Sequence, residues 1–452
     1  MEKLQVNDFF LDKIKILIYE KKNEVLKKKL SNFHYADIAE IIKQISLDEA
    51  VHIVKLLESD ITAEALAEVD ESFREKILSK LSAKEIAEEI EELDTDDAAD
   101  IVGELPEILQ EKVLSKIEDT EHSQDIRELL NYQEGTAGAL MAKELVSVNE
   151  NLSVINCVRE MRKQAKEVTR VHSIYVTTSK NKLLGRLSLK DLLTANTKAK
   201  VKDIYIPNVD FVNVNEDVNE VANVMSKYDL EAIPVVNEKK QLLGRITIDD
   251  VLDIIKEEAD KDYQLAAGIS KEVEANDNIL QLTRARLPWL FLGLIGGLGS
   301  VFILKDFEEI MIKSELRSLF FYTPLIAAMA GNVGVQSSAI IVQGIANQVI
   351  KGSLINRLFK EIGLGLINGL ILSIVLIIFG EIINQDMLLS LTVAVSMMSV
   401  IVISALIGTF VPIILHKKGV DPAIATGPFI TTANDIFGIF LFFYIAKLIL
   451  GF

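Results

Sequence analysis

Five long apolar runs in the second half of the chain limit its possible folds more than any other feature. Leu287–Leu304 carries no charge over 18 residues, 318–350 none over 33, and Ile362–Gly380 none over 19. Met387–His416 holds only His416 over 30 residues, and Pro422–Ala446 is interrupted only by Asp435. A membrane-crossing helix needs about 20 consecutive apolar residues. A buried soluble core does not supply five such runs in succession, so a transmembrane domain of five helices is expected over 286–452. The charge distribution agrees. Residues 287–452 contain nine basic and nine acidic groups, so the whole net charge of −18 belongs to the first 286 residues. An acidic soluble half is fused to an apolar half. The single cysteine, Cys157, excludes a disulfide scaffold. The acidic surplus argues against a nucleic-acid partner. The charged start of the chain predicts no secretory signal.

Five spans place the two ends of the apolar half on opposite sides. With the soluble half inside, the inner flanks carry Arg284, Arg286, Lys351, Arg357, Lys360, Lys417 and Lys418, and the outer flanks Lys305, Lys313, Arg317 and Lys447. The positive-inside rule then predicts cytosolic N-terminal domains on a multi-pass protein of the cell (inner or plasma) membrane. The spans are not plain anchors. The second contains Gly331-Asn332-Val-Gly334-Val-Gln336-Ser337-Ser338, which suits either a polar path or hydrogen-bonded helix contacts. The last begins Asp421-Pro422 and continues Gly427-Pro428 to Asn434-Asp435, which puts Asp435 near mid-membrane. A carboxylate there needs a partner or a wet cavity, and no span offers a basic partner. It marks a cation pathway, or else it is a protonated structural group. Pro428 cannot donate to the carbonyl of Ile424, which leaves that oxygen free to face a pore.

The soluble half contains two kinds of repeat. In residues 1–130, Glu71–Leu81 recurs as Glu107–Ile117, offset by 36, and Ala36–Ile42 resembles Lys84–Ile90. Stacked helices in a small solenoid fit this pattern. Its acidic stretch sets Asp96, Asp97 and Asp100 on one helix face, as a cation site or as an acidic helix start. Residues 131–255 read as strand, helix, strand, Gly turn, strand, helix, twice over. Leu183-Leu-Gly185-Arg-Leu-Ser188-Leu-Lys-Asp191 matches Leu242-Leu-Gly244-Arg-Ile-Thr247-Ile-Asp-Asp250. This resembles a tandem CBS pair, and the resemblance implies adenosine sites (ATP or AMP) at Ser188 with Asp191 and at Thr247 with Asp250. Ile248–Leu265 then continues as one acidic helix, with like charges one turn apart. Divalent cations would relieve that repulsion, and carboxylate oxygens suit Mg2+. The connection to the membrane, 256–285, is expected to hold this helix.

Together these motifs resemble the MgtE family of magnesium channels over nearly the full chain. The matching pieces are Asp96-Asp97-Ala-Ala-Asp100, Tyr132–Met141, the CBS pair, Gly331–Ser337, Lys360-Glu361-Ile-Gly363, Gly419–Pro422 and Asn434-Asp435. The resemblance implies a multi-domain fold: an α-helical solenoid N domain, an α+β CBS pair, a connecting ("plug") helix and five transmembrane helices. It also implies a homodimer with its pore at the subunit interface. Asp435 would be the pore carboxylate for hydrated Mg2+, with Asn332, Glu361 and Ile424 in the pore region. Regulatory Mg2+ ligands would be Asp97, Asp100, Asp229, Asp250, Asp253, Glu258, Asp262 and Asp421. Val333, Val335, Asn219 and Lys261 depart from the family pattern. The function implied is a Mg2+ channel or importer closed by cytosolic Mg2+, not an enzyme. The rivals are a nucleotide-sensing membrane receptor and a carrier of another divalent ion such as Co2+ or Mn2+.

Overall fold

The computed structural model describes residues 8–451 apart from 167, 169, 274, 276, 309–315 and 347–352. Lys313, Ile350 and Lys351, used above, lie outside the described residues. The chain forms two compact units, Met1–Ile255 and Lys256–Phe452.

The first unit begins with short helices: α1 (Asp8–Tyr19), α2 (Asn23–Leu30), α3 (Tyr35–Lys43), α4 (Leu47–Val54) and α5 (Ser59–Ala67). There follow α6 (Glu71–Leu78), α7 (Ala83–Ile90), α8 (Thr95–Gly103), α9 (Glu107–Leu114) and α10 (Thr120–Leu129). From α2 to α9 a helix starts every 12 residues, at 23, 35, 47, 59, 71, 83, 95 and 107. The sequence offset of 36 is three of these steps. The caps repeat with it: Ser46 with Glu49 and Ser82 with Glu85 each close a capping box. Helices this short are not stable alone. They persist because alternate helices stack, α3 on α5, α4 on α6, α5 on α7 and α7 on α9, which buries Ile38, Ile41, Ile53, Leu66, Ile77 and Ile86.

The CBS pair follows as two small sheets. The first contains β1 (Val146–Asn149), β2 (Ile174–Thr177), β3 (Leu183–Leu187) and β4 (Ile206–Pro207) in that order. The second contains β5 (Val212–Asn213), β6 (Ala232–Val236) and β7 (Leu242–Thr247). In both, the outer pair is parallel and the next antiparallel. The two repeats share a quasi-symmetric seam, where Leu183 N–H donates to Lys240 O and Leu242 N–H to Asn181 O, both at 2.9 Å. Residues 135–142 attach to the second repeat. Ala137 N–H donates to Glu216 O, Gly138 N–H to Val214 O, and Ala142 pairs with Arg245. The solenoid core is consequently continuous with the second repeat, whereas the first repeat keeps a core of its own.

After the helices α11 (Val154–Gln164), α12 (Leu189–Thr194) and α13 (Val218–Tyr228) of the CBS pair, α14 runs from Ile248 to Ala266. It ends there, and the next helix starts only at Ile279, so 256–285 is not one continuous helix. Five helices are long and apolar enough to cross a membrane: α15 (Ile279–Asp306), α16 (Thr323–Ala346, preceded by a 3-10 turn from Arg317), α17 (Leu354–Ile382), α18 (Met387–Lys417) and α19 (Gly427–Leu450). Small residues let them approach. Gly365 faces Val402 and Gly369 faces Met398 between α17 and α18, and Gly408 meets the Gly334 carbonyl between α18 and α16.

Candidate ion path and acidic clusters

The membrane site is built where α16 meets α19. Gly331 and Gly334, one turn apart, present bare backbone to Asn434 and Asp435. A side chain at Gly334 would overlap the Asn434 amide, and one at Gly331 would lie 3.6 Å from Asp435 Oδ1. The second-span and last-span motifs are thus one constellation. Asp435 is half-buried, and among the described residues no cation or hydrogen-bond donor pairs with its carboxylate. Asn434 is fully buried, with neither amide atom bonded. Asn332 and Gln336 share the exposed face of α16 in the single chain. Glu361 is buried on α17 and accepts a hydrogen bond from Ser337 Oγ at 3.3 Å.

The last span begins differently from the sequence expectation. Asp421 Oδ1 accepts from Ala423 N–H at 2.8 Å and caps a 3-10 turn, Pro422–Ala425, and α19 starts only at Gly427. Pro428 therefore sits in the first turn, where an N–H lacks a helical partner in any case. The Ile424 carbonyl belongs to a turn and not to a broken helix. Gly427, at φ +53°, lies against the Ala266 carbonyl with no room for a side chain, and a Cβ on Gly268 would strike Pro428. The end of the acidic helix thus abuts the start of the last span. Nearby, Asp262 is pushed above the usual carboxylate range by partial burial and then by the charges of Asp421 and Glu258.

A second acidic cluster lies between the solenoid and the second CBS repeat. Asp96 is pushed well up and Asp97 to about 7, first by burial and then by the charge of Asp250. Asp250 is itself raised by burial and by Asp249. Asp94, Glu64, Glu144 and Asp100 add further repulsion. Asp100, Asp229, Asp253 and Glu258 are exposed, and Asp229 caps α13 in the left-handed conformation. Among the described residues no three acidic, His or Cys side chains close into a shell around one point. The donor set still fits a hard cation, since all its groups are carboxylates and they crowd one partly buried region. Sequence reasoning singled out Asp97, Asp100 and Asp250 but missed Glu64, Glu144 and Arg245, which come from distant positions without a shared motif.

The two nucleotide motifs differ. Ser188 Oγ donates to Asp191 Oδ2 at 2.6 Å, and both residues are only half-buried. Thr247 bonds Asp250 in the same way, but Thr247 is buried and Asp250 faces the solenoid acids.

Comparison with known proteins matches three family models. Residues 323–445 match a divalent cation transporter model named MgtE, 33–135 the MgtE intracellular N domain, and 137–198 and 201–257 the CBS domain. The magnesium transporter MgtE of Bacillus subtilis is 34% identical over 319 residues, 70% of each chain. The chain belongs to the MgtE family. The MgtE of Thermus thermophilus is likewise 34% identical, over 71% of this chain and 72% of its own. Among solved structures, the cytosolic domain of the Mg2+ channel MgtE in complex with ATP is 30% identical with a TM-score of 0.51, covering 54% of this chain and 99% of that one. The soluble part of a magnesium transporter is 26% identical with a TM-score of 0.50, covering 55% and 98%. The expected layout of N domain, CBS pair and membrane helices is therefore that of MgtE proteins.

Proposed function

We propose that the chain conducts Mg2+ across a cell membrane as a homodimer, with its acidic domains in the cytosol, and that cytosolic Mg2+ closes it. The observation that carries the reading is Asp435, a carboxylate within a span with no partner among the described residues, set against the bare backbone of Gly331. An unpaired charge at that depth is costly unless water or a cation reaches it. The exposed Asn332 and Gln336 point the same way, because amides do not belong against lipid. A second copy packed on that face would cover them and line a polar path. Ile424 and Glu361 complete the proposed pore region. The names of the relatives support Mg2+ as the substrate. Mg2+ gives up its water reluctantly, so one carboxylate per chain, flanked by amides and carbonyls, would hold the hydrated ion through its waters and release it again. α16 and α19 contain no His or Cys, which disfavours softer metals.

Closure is assigned to the two acidic clusters. Mg2+ bound at Asp97, Asp100 and Asp250, and at Glu258, Asp262 and Asp421, would replace repulsion with attraction, with Asp229 and Asp253 as further exposed ligands. ATP or AMP is assigned to Ser188 and Asp191. This motif is half-exposed, whereas Asp250 of the Thr247 motif lies against the solenoid acids Asp96 and Asp97. An ATP complex of a related cytosolic domain supports a nucleotide in this region. The test of the pore is Mg2+ uptake into liposomes. Asp435→Asn should insert normally and reduce uptake to the level of protein-free liposomes; uptake at the wild-type rate would refute the assignment.

A further inference from the structure

Arg186 and Arg245 occupy the same place in the two CBS repeats, each following a glycine on β3 or β7. Their surroundings differ. Arg186 is exposed, whereas Arg245 is 6% exposed. Its Nη2 donates to Asp94 Oδ2 at 3.0 Å and its Nε to the Glu144 carbonyl at 2.6 Å. Asp94 precedes α8, the helix that carries Asp96, Asp97 and Asp100. The Glu144 carboxylate takes the Thr95 N–H at 3.1 Å and the Thr95 hydroxyl at 2.8 Å, and Thr95 Oγ1 accepts from Lys143 N–H at 2.8 Å. One guanidinium therefore ties together β7, the connecting segment 141–144 and the start of the acidic helix α8. A guanidinium keeps its charge at all relevant pH, and its fork directs two bonds at once. Among the described residues it is also the one buried arginine or lysine beside the acids that crowd this interface, and it favours the ionised form of Asp250.

We propose that Arg245 is a resident cation that holds the solenoid on the second CBS repeat before any Mg2+ binds, and so sets how much Mg2+ closure requires. The inference rests on the reading that Mg2+ at these acids closes the channel. A ligand shifts an equilibrium only by its differential affinity for the two states. A chain that is already docked by its own cation leaves less of the shift for Mg2+ to supply. The first repeat, with Arg186 in solvent, shows no equivalent tether among the described residues.

The test is hydrogen exchange of the full-length protein in lipid nanodiscs, in EDTA and along a Mg2+ series. Segments 91–103 and 141–147 report the interface, and 107–114 serves as reference. In EDTA, Arg245→Met and Asp94→Asn should each exchange about tenfold faster than wild type in both segments, with 107–114 unchanged. Asparagine caps a helix as well as aspartate does, so Asp94→Asn leaves α8 itself intact. Saturating Mg2+ should return Arg245→Met to the wild-type rate, and Arg186→Met should match wild type throughout. Wild-type exchange by both interface variants in EDTA overturns the proposal. So does fast exchange confined to Arg245→Met that Mg2+ does not reverse, because that is damage to the repeat. If wild type is insensitive to Mg2+ while both variants exchange fast, the tether stands and the Mg2+-closure reading fails.

Discussion

Glu89 on α7 shows how one side chain can make a domain sensitive to pH. It is 8% exposed and accepts hydrogen bonds from Thr62 Oγ1 at 2.6 Å and Ser59 Oγ at 3.4 Å. Burial raises its carboxyl to about 7 against the hydroxyls, which favour the charge. In the unfolded chain the group titrates near 4.3. Between these values the unfolded state loses its proton first, so stability falls as pH rises from about 4 to about 7 and stays low above that. Glu89→Gln removes the ionisation but keeps an acceptor for Thr62. The variant should melt with wild type at about pH 3.5, below the unfolded-state value, and be more stable at pH 8 by about 1–3 kcal/mol, as read from thermal unfolding of the solubilised protein. Sequence patterning could not reveal this, because Glu89 sits among Glu85, Glu88, Glu91 and Glu92, which look alike in the sequence although only Glu89 is buried. Asp435 was legible for the opposite reason: a charge stands out in an apolar run.

Helices and spans were readable because each has a periodic or compositional signature. The five runs became α15–α19, and the 36-residue repeat became a helix every 12 residues. Contacts between elements were not readable, since no local pattern says which helix end meets which. The abutment of α14 on α19 is the clearest case. Gly427 appears in the sequence only as part of a Gly-Pro turn; the structure shows that it must be glycine because the Ala266 carbonyl occupies the space and φ is positive. If the acidic helix moves, this contact would pass the movement to the last span. Gly427→Ala should cost about 1–3 kcal/mol at the contact and force the helix end away. The expected result in patch-clamp is a channel that still conducts but closes poorly when Mg2+ is raised on the cytosolic side. Loss of conduction together with loss of folding, judged by gel filtration, would mean that the contact is structural and not a coupling.

At the scale of the whole molecule, the acidic groups fall into two separate clusters, and one helix is common to both. Asp96, Asp97 and Asp250 belong to the first unit, and Glu258, Asp262 and Asp421 to the second. α14 starts at Ile248, two residues before Asp250, and carries Glu258 and Asp262 towards its other end. If this helix of 19 residues moves as one piece, a change at one cluster would reach the other. If Mg2+ closes the channel at both, their contributions should not be independent. Neutralising the first cluster with Asp97→Asn and Asp250→Asn should raise the Mg2+ needed for half-closure about 2–10-fold, and Glu258→Gln with Asp262→Asn should do the same. Independent sites would multiply these factors in the combined variant. Coupling through α14 predicts a departure from the product of at least about twofold, equivalent to about 0.4 kcal/mol or more of interaction energy. The measurement is the closing concentration in inside-out patches for wild type, the two pairs and the quadruple variant. A product of factors would show that the clusters act separately; a departure would show that they are coupled, and its loss in the Gly427→Ala background would place the coupling on the contact between α14 and the span that carries Asp435.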